Sequence, residues 1–531
     1  MMTRQRPCRI TIIVVLFALL ALGVGLVMRP TTPHARADRA SNSNYQADSG
    51  TLPSPDTVFQ AWNNSFLVQN GSTAYYTNEL KSIGTARAGT WIAALDIQVA
   101  QDEYERTHSP ADRQLVNNLV TTFLADEGTD WTSDTWNDDI GWMTTTVLRG
   151  YQETGNTSWL NTAINQWNQV YNRGWSSAGG GGIWEEMNSK YSKCSLSNNP
   201  MISIATSLYL ITGDGSYLTK AEAIYAWVRA NIVNTTTGVV NECIAFPNGS
   251  PILQASDNAY NAGSFIEAAN NLYRITGNSQ YHDDAMRTAD HFLNMVPIVA
   301  NNAERGSSYQ YWLFKGISDF CTDNGLCSKY DAYMRSNAAQ AWSERNSADL
   351  TWNDWTNPTS DSNPDAFEMN GMVGLFEVLP TTAASPFSGK YEIQNVASNM
   401  SLGVQGDSTA NAAEIVQNTD NGDESASWTF VPESNGYYEI QNARSGQLMN
   451  VSDVSGAPGA LIVQWPAGGL QPGNDQWLPM RNADGTYSFY NRNSRLALDN
   501  PSASTAAGTQ YEQWAPNDTA GQKFNVTSHY G

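Results

Sequence analysis

A short motif, Tyr-x-x-Thr-Gly, recurs through the first half of this 531-residue chain and sets its architecture. It reads "YQETGNTSWLNTA" from Tyr151, "YLITGDGSYLTKA" from Tyr209 and "YRITGNSQYHDDA" from Tyr273, with a copy lacking the glycine, "YERTHSPADRQL", from Tyr104. Each copy closes an amphipathic run. The glycine suits the left-handed residue that stops a helix. The polar turn after it leads into a second helix that opens near Trp159, Tyr217 or Tyr281. The unit is a helical hairpin whose tyrosines lie 47, 58 and 64 residues apart. Extending the period predicts first helices near 88–106, 139–154, 199–212, 261–276, 310–321 and 366–379. Second helices alternate with them near 56–69, 110–125, 158–173, 217–232, 281–296 and 329–347. Six hairpins are the number that closes an α/α toroid, so an all-α (α/α)6 toroid is expected.

A second repeat follows the small-residue stretch "TTAASPFSG" (381–389). "YEIQN" stands at Tyr391 and at Tyr438, and "YSFYN" at Tyr487, 47 and 49 residues apart. Each unit then carries an apolar run (Leu402, Met449, Leu498), a glutamine (Gln417, Gln464, Gln513) and an aromatic (Trp428, Trp477, Phe524). Short alternating segments with Asn/Gly turns read as strands, and three copies of about four strands imply an all-β β-trefoil. The expected organisation is a signal peptide (1–37), a linker (38–54), the toroid (55–380), a linker (381–386) and the trefoil (387–531).

Arg4, Arg6 and Arg9 precede an apolar run from Ile10 to Met28, and "ARA" at 35–37 offers small residues for cleavage before Asp38. Secretion is the expectation, with no stable membrane contact once the signal is removed. Retention of the 19-residue run as an N-terminal membrane anchor is the alternative, and either way the remaining chain lies outside the cytoplasm. Of five cysteines, Cys8 leaves with the signal. Cys321 and Cys327 bracket "TDNGL", a loop short enough to close by itself, which leaves Cys194 and Cys243; three pairings are possible. Five histidines show no ligand spacing with cysteine or carboxylate, so neither a metal nor another cofactor is expected. With 29 basic against 51 acidic residues, a net charge of −22 repels phosphate backbones and excludes nucleic acid as a partner. A monomer acting on neutral sugars fits this surface better.

Within the toroid, "TWNDDIGWM" (Thr135–Met143) places Asp138 and Asp139 at the start of a first helix, between Trp136 and Trp142. Counting back twelve residues from the repeat tyrosines lands on Asp139, on Ser197 just before Asn198 and Asn199, and on Asn261. Polar side chains thus gather on one rim, and the Gly-rich stretch "GWSSAGGGGIWEEMNSKY" (174–191) leads into it. Helix capping by Asn137, Asp138 or Asp139 would by itself account for acids there. The shared rim favours glycosidic cleavage, which needs one carboxylate at the anomeric carbon and one carboxylic acid at the departing oxygen. Two neighbouring carboxyls split into a low and a high titration, which divides those roles. Adjacency favours the roughly 5–5.5 Å separation of retaining enzymes.

The blocks "WNDDIGWM", "GGGGIWEEM", "NNPMISIATSLYLITGD", "YNAGSFIEAANNLYRITGN" and "YWLFKGISDF" resemble, in order, those of glycoside hydrolase family 76, the endo-α-1,6-mannanases, over roughly residues 55–380. The resemblance implies an (α/α)6 fold and metal-free, retaining hydrolysis of α-1,6-linked mannan or manno-oligosaccharides. It makes Asp138 the nucleophile and Asp139 the acid/base that holds the proton. Trp142, Trp184, Asn199, Tyr260 and Asn261 become candidate sugar contacts. One departure stands out: after "GGI", where a paired aromatic is expected, the chain has Trp184 and then Glu185. Glu185 and Glu186 are spare carboxylates beside the pair. Lys315, near the fifth rim, is as readily a solvated charge as a site residue, and a second acid pair, Asp283–Asp284, falls inside an outer helix.

The C-terminal repeats resemble the ricin-B-like lectins over 387–528, which implies polysaccharide binding. Those lectins use an early Asp with a later aromatic and Gln/Asn; the matching early positions are Gly403, Asn450 and Asp499. The third lobe (Asp499, Tyr511, Gln513, Trp514, Asn517) is the expected site, with a second at Asn450, Gln464 and Trp465 and a silent first lobe. The function implied is a secreted mannanase tethered to polysaccharide by its lectin module. The alternatives are an α-mannan transglycosylase for wall remodelling and a non-catalytic surface glycan-binding protein.

Overall fold

A computed structural model describes residues 52–299, 310–362, 365–380, 387–419, 424–433, 436–467, 473–482 and 484–528. The expected signal segment 1–37, the linker 38–54 up to residue 51, and the linker 381–386 lie outside them. Among the described residues are twelve helices at the twelve expected places. Six form an inner ring: α2 (Thr90–Thr107), α4 (Asn137–Thr154), α6 (Ser195–Thr212), α8 (Ala259–Thr276), α10 (Gln310–Asp323) and α12 (Ala366–Glu377). Each inner helix packs on the next, and α12 returns to α2, so the ring closes. Outside them run α1 (Pro55–Phe66), α3 (Pro110–Glu127), α5 (Thr157–Gly174), α7 (Gly215–Asn231), α9 (Ser279–Met295) and α11 (Cys327–Ser343). Among the described residues no helix is long and apolar enough to cross a membrane.

The repeat motif builds the hairpin turn through its glycine, threonine and capping residue. Gly155, Gly213 and Gly277 sit at φ 80°, 71° and 68°, and their amides donate to Tyr151 O (2.7 Å), Tyr209 O (2.8 Å) and Tyr273 O (2.8 Å). His108 takes the same left-handed place in the fourth copy, at φ 51°. The motif threonines donate back into their helices, as Thr154 Oγ1 does to Gly150 O at 2.6 Å. Asn156, Asp214, Asn278 and Ser109 then cap the outer helices, each accepting an amide hydrogen bond at 2.9–3.1 Å. Close approach of α8 and α10 depends on Gly263 and Gly316: a Cβ on Gly263 would meet Trp312 O at 2.1 Å.

One expected feature takes a different place, and the second acid pair stands inside outer helix α9 as expected. Lys315 is buried rather than solvated, with its Nζ 3.2 Å from Asp102 in an ion network that also holds Arg149. Asp284 of the second acid pair is buried and serves Arg287 (2.7 Å) and the Tyr225 hydroxyl (2.9 Å), a structural role.

Two small sheets had no clear sequence signal. A hairpin of β1 (Leu67–Asn70) and β2 (Thr73–Tyr76) follows α1, and β3 (Ser192–Cys194), β4 (Cys243–Ala245) and β5 (Ile252–Gln254) form an antiparallel trio at the start of α6. Cys194 faces Cys243 across β3 and β4 and is bonded to it; Cys321 is bonded to Cys327. The three possible pairings are thereby reduced to this one.

Twelve strands build the second domain in three four-strand units: β6 (Lys390–Asn395), β7 (Ser401–Val404), β8 (Ile415–Asn418) and β9 (Ser427–Pro432); β10 (Tyr438–Asn442), β11 (Leu448–Val451), β12 (Ala460–Trp465) and β13 (Gln476–Arg481); β14 (Tyr487–Asn491), β15 (Ala497–Asp499), β16 (Glu512–Trp514) and β17 (Phe524–Ser528). The last strand, β17, pairs with the first, β6, which closes a β-trefoil around its own apolar core. Trp428 and Trp477 are buried there, each donating its indole N–H to a carbonyl of its own unit at 2.9 Å.

The trefoil docks on the ends of the inner helices that carry the Tyr-x-x-Thr-Gly turns. Tyr151 donates its hydroxyl to Asp518 Oδ2 at 2.7 Å, and Tyr490 donates to Leu210 O at 3.0 Å. The opposite rim, where the inner helices begin, is left to the functional groups.

Candidate active site

At that opposite rim α4 begins with Trp136 as its N-cap, so none of Asn137, Asp138 and Asp139 is the cap. Asp138 and Asp139 both lie in the first turn, half-buried. Asn137 is fully buried and works as a joint: its Nδ2 donates to Trp184 O at 2.6 Å, its amide donates to Glu185 O at 2.8 Å, and its Oδ1 accepts from Arg173 Nε at 2.7 Å. The α4 start is therefore clamped to the end of the Gly-rich stretch.

That stretch is held in turn by Lys193. Its ammonium is buried and donates to Ser176 O (2.9 Å), Ala178 O (2.6 Å) and Gly181 O, and it lies 4.7 Å from the Trp184 ring. Burial pulls its pKa down to about 8.

Burial pushes the Asp138 carboxyl up to about 8, and the negative charges of Glu185 and then Asp134 push the same way. The backbone amides of Asp138 and Asp139 pull against them, as helix N-terminal amides do for an anion. Asp138 Oδ1 has no hydrogen-bond partner among the described residues. Glu185 is also raised, first by burial and then by Glu242 and Glu186, while a hydrogen bond from Ser192 lowers it. A pair of adjacent acids with one held protonated near neutrality is what acid-assisted cleavage needs.

The five expected sugar contacts are all buried. Trp142 is only 2% exposed and packs 4.8 Å from Trp312 in the ring wall. Trp184 is buried edge-on to Phe246. Asn199 Nδ2 donates to Ser264 Oγ at 3.1 Å and ties α6 to α8. Neither amide atom of Asn261 has a partner among the described residues. Tyr260 donates its hydroxyl to Glu242 Oε1 at 3.1 Å, and Asn258 Nδ2 holds Glu242 Oε2 at 2.8 Å. Glu242 and Asn258 carried no signal in the sequence beyond adjacency to Cys243 and to the α8 start. The ligand-type atoms of Glu185, Cys194 and Cys243 gather within 4.8 Å, but the two sulfurs are bonded to each other, which leaves one carboxylate for any metal.

In the trefoil the expected polar ligands turn out to be framework. Gln464 and Gln513 are fully buried; Gln464 Nε2 donates to Ser408 O (2.9 Å) and Ala410 O (2.8 Å), Gln513 Nε2 to Ser455 O and Ala457 O (both 2.9 Å). Their carbonyl oxygens accept from Ser445 Oγ (2.7 Å) and Ser494 Oγ (2.6 Å), so no polar atom is left for sugar. Tyr511 is a core residue, and Asn450 is buried and accepts from Asn474. Asp499 is buried opposite Glu512, and burial with Glu512's charge pushes its carboxyl up to about 6. Trp465 and Trp514 are 41% and 43% exposed, and Asn517 is exposed beside the docking contact of Asp518.

Residues 63–382 match the model of glycosyl hydrolase family 76. The chain belongs to that family. Residues 376–465 and 473–531 match the ricin-type β-trefoil lectin-like domain. An α-1,6-mannanase from Salegentibacter sp. is 25% identical, with 61% of this chain and 97% of that chain covered at a TM-score of 0.55. An inactive variant of that mannanase, with two consecutive aspartates changed to asparagine and α-1,6-mannotriose bound, superposes at a TM-score of 0.55 and 23% identity over the same shares of both chains. A family 76 mannosidase from Bacteroides thetaiotaomicron shares the fold at 17% identity, TM-score 0.53, over 61% of this chain and 96% of that one. Comparison with curated protein sequences finds no match. This family 76 chain is thus a glycoside hydrolase with a lectin-like module.

Proposed function

We propose that this family 76 enzyme is secreted, cuts α-1,6-mannosidic bonds inside mannan backbones with retention of configuration, and is tethered to its polysaccharide by the trefoil. The observation that carries the reading is the Asp138–Asp139 pair, side by side in the first turn of α4 on the rim where the inner helices begin. The α-1,6-mannotriose bound by a structural neighbour supports the substrate class, and two disulfides support an oxidising compartment.

In the first step Asp138 attacks the anomeric carbon and Asp139 protonates the departing oxygen, which breaks the mannosidic bond and leaves a glycosyl-enzyme. Asp139 then takes a proton from water, and that water releases the sugar from Asp138. Attack requires Asp138 ionised, whereas burial and Glu185 favour its proton in the free protein. An ionised carboxylate in a poorly solvated place stabilises the oxocarbenium-like charge most strongly, so the ground-state penalty and the transition-state gain have one origin. The raised Asp138 carboxyl also favours a second reading, in which Asp138 is the acid and Asp139 the nucleophile.

Asp138→Ala and Asp139→Ala, assayed with azide on an α-mannobiosyl fluoride, separate the two readings. Under the first, Asp138→Ala regains turnover and yields a glycosyl azide of inverted configuration, while Asp139→Ala yields a retained one. The opposite pattern exchanges the roles. Chains longer than the substrate among wild-type products would point to transglycosylation, and no release from linear α-1,6-mannan would sink the substrate assignment.

A further inference from the structure

Glu185 occupies the place where the family pattern leads one to expect the second of two aromatics, and the structure sets it against the catalytic turn. Residues 184–187 run antiparallel to 135–137: Asn137 N donates to Glu185 O at 2.8 Å, Met187 N to Thr135 O at 2.9 Å, and Trp136 and Glu186 bridge the two segments. On its other side Glu185 N donates to Ser192 O at 2.9 Å, and its carboxylate accepts from Ser192 Oγ at 2.7 Å. Next in line is Glu242, held by Asn258 and Tyr260. The charge of Glu242 bears on Glu185, and that of Glu185 on Asp138, so the three carboxyls act as a row.

Most other charges around the row carry its sign. Asp139 shares the Asp138 turn, Asp134 precedes it, and Glu186 follows Glu185. Arg173, at the end of α5, donates to Asn137 Oδ1 and to Asp134 O (2.8 Å). Lys193 on β3 turns its ammonium to the carbonyls of the Gly-rich stretch. The tyrosine facing the row, Tyr260, is neutral at working pH. Asp138 and Glu185, each pushed up by burial and by a neighbouring acid, oppose folding when ionised, and such local conflicts are characteristic of functional sites.

Given the Asp138–Asp139 assignment, on which this rests, we infer that Glu185, backed by Glu242, is a positioning residue of the reaction. Its negative charge acts through space on the protonation of Asp138, and it touches neither the scissile bond nor the departing sugar. A neutral aromatic at 185 would leave Asp138 to ionise at lower pH. Glu185 therefore adapts the common catalytic pair to a more alkaline working range.

The test is the pH profile of kcat/KM on soluble α-1,6-manno-oligosaccharides for wild type, Glu185→Gln and Glu185→Asp. Removing the charge moves the limb that reports Asp138 ionisation to lower pH by about one unit, the size of effect a nearby like charge produces. It is the acidic limb if Asp138 is the nucleophile and the alkaline limb if Asp138 is the acid; the direction is the same. Glu185→Asp keeps the charge and keeps the limb near its wild-type position, which a packing role alone does not predict. A limb that stays in place in a folded, active Glu185→Gln enzyme overturns the inference. So does a maximal rate as low as that of Asp138→Asn, which would make Glu185 catalytic. Full turnover by Asp138→Asn would instead remove the site assignment and this inference with it, a result no Glu185 variant can produce.

Discussion

At the scale of the residue, the role proposed for Asp138 is set against stability. Its folded carboxyl is pushed up to about 8, chiefly by burial, against an ordinary value near 4. Between those values the folded chain holds a proton that the unfolded chain has released. Stability therefore falls as pH rises through that window, by at most about 1.4 kcal/mol per pH unit. Asparagine cannot ionise and is spared this loss. Asp138→Asn should abolish turnover and yet melt higher than wild type, by a margin that widens from pH 5 to pH 8. Thermal denaturation of both proteins at the two pH values is the check. A margin that stays constant with pH would mean that Asp138 is not buried against its own charge. The neighbouring residues explain why the buried rim was only half legible in the sequence. Counting back from the tyrosines finds Asp139 and Asn261 because helix length is periodic. Nothing periodic marks Glu242, which is brought in by the pairing of β3 and β4. Nor does the sequence show that the Trp142 ring packs against Trp312, a contact between α4 and α10.

At the scale of the element, the twelve helices were legible because the hairpin turn repeats its chemistry: a left-handed stop, a threonine bonded back and a polar cap. The three-stranded sheet at the α6 start was not, since strands of three residues carry no alternation to detect. The trefoil glutamines misled for a related reason. Their threefold recurrence reflects a bond from each unit to a neighbouring loop, and recurrence alone cannot separate framework from ligand contact. The Gly-rich stretch is an element held by buried side chains, among them Asn137, Trp227 and Lys193. Lys193 donates to three of its carbonyls and lies beside the rings of Trp184, Trp227 and Phe246. Lys193→Met keeps much of the apolar stem but strands those carbonyls, at a cost of roughly 1–3 kcal/mol. The variant should be nicked by protease within residues 176–182, show a raised KM on mannan, and still bind polysaccharide through the trefoil. Unchanged proteolysis would mean that the stretch holds its shape without the lysine.

At the scale of the whole molecule, the trefoil and the acid pair stand at opposite ends of the inner helices. Helix α4 spans 18 residues between them, or about 27 Å at 1.5 Å per residue. That separation was not legible in the sequence, because the tyrosines that end the helices gave no sign that a second domain would dock on them. It has a functional consequence. A lectin-like domain at the far end stands away from the acid pair, which suits the proposed tethering role, where a second attachment raises effective concentration without new contacts at the bond. Trp465 and Trp514 are the exposed aromatics best placed to carry that attachment. Losing one stacking partner should weaken its own sugar site about two- to tenfold. Losing both should remove most of the retention on insoluble mannan, because two weak sites on one polymer act as a product rather than a sum. The double variant Trp465→Ala/Trp514→Ala should therefore elute early from a mannan column and clear insoluble mannan slowly. Its kcat and KM on a soluble manno-oligosaccharide should match wild type, since neither tryptophan reaches the rim. If soluble turnover falls in step with binding, the two ends are coupled through the inner helices, and the trefoil is part of the catalytic machinery rather than its anchor.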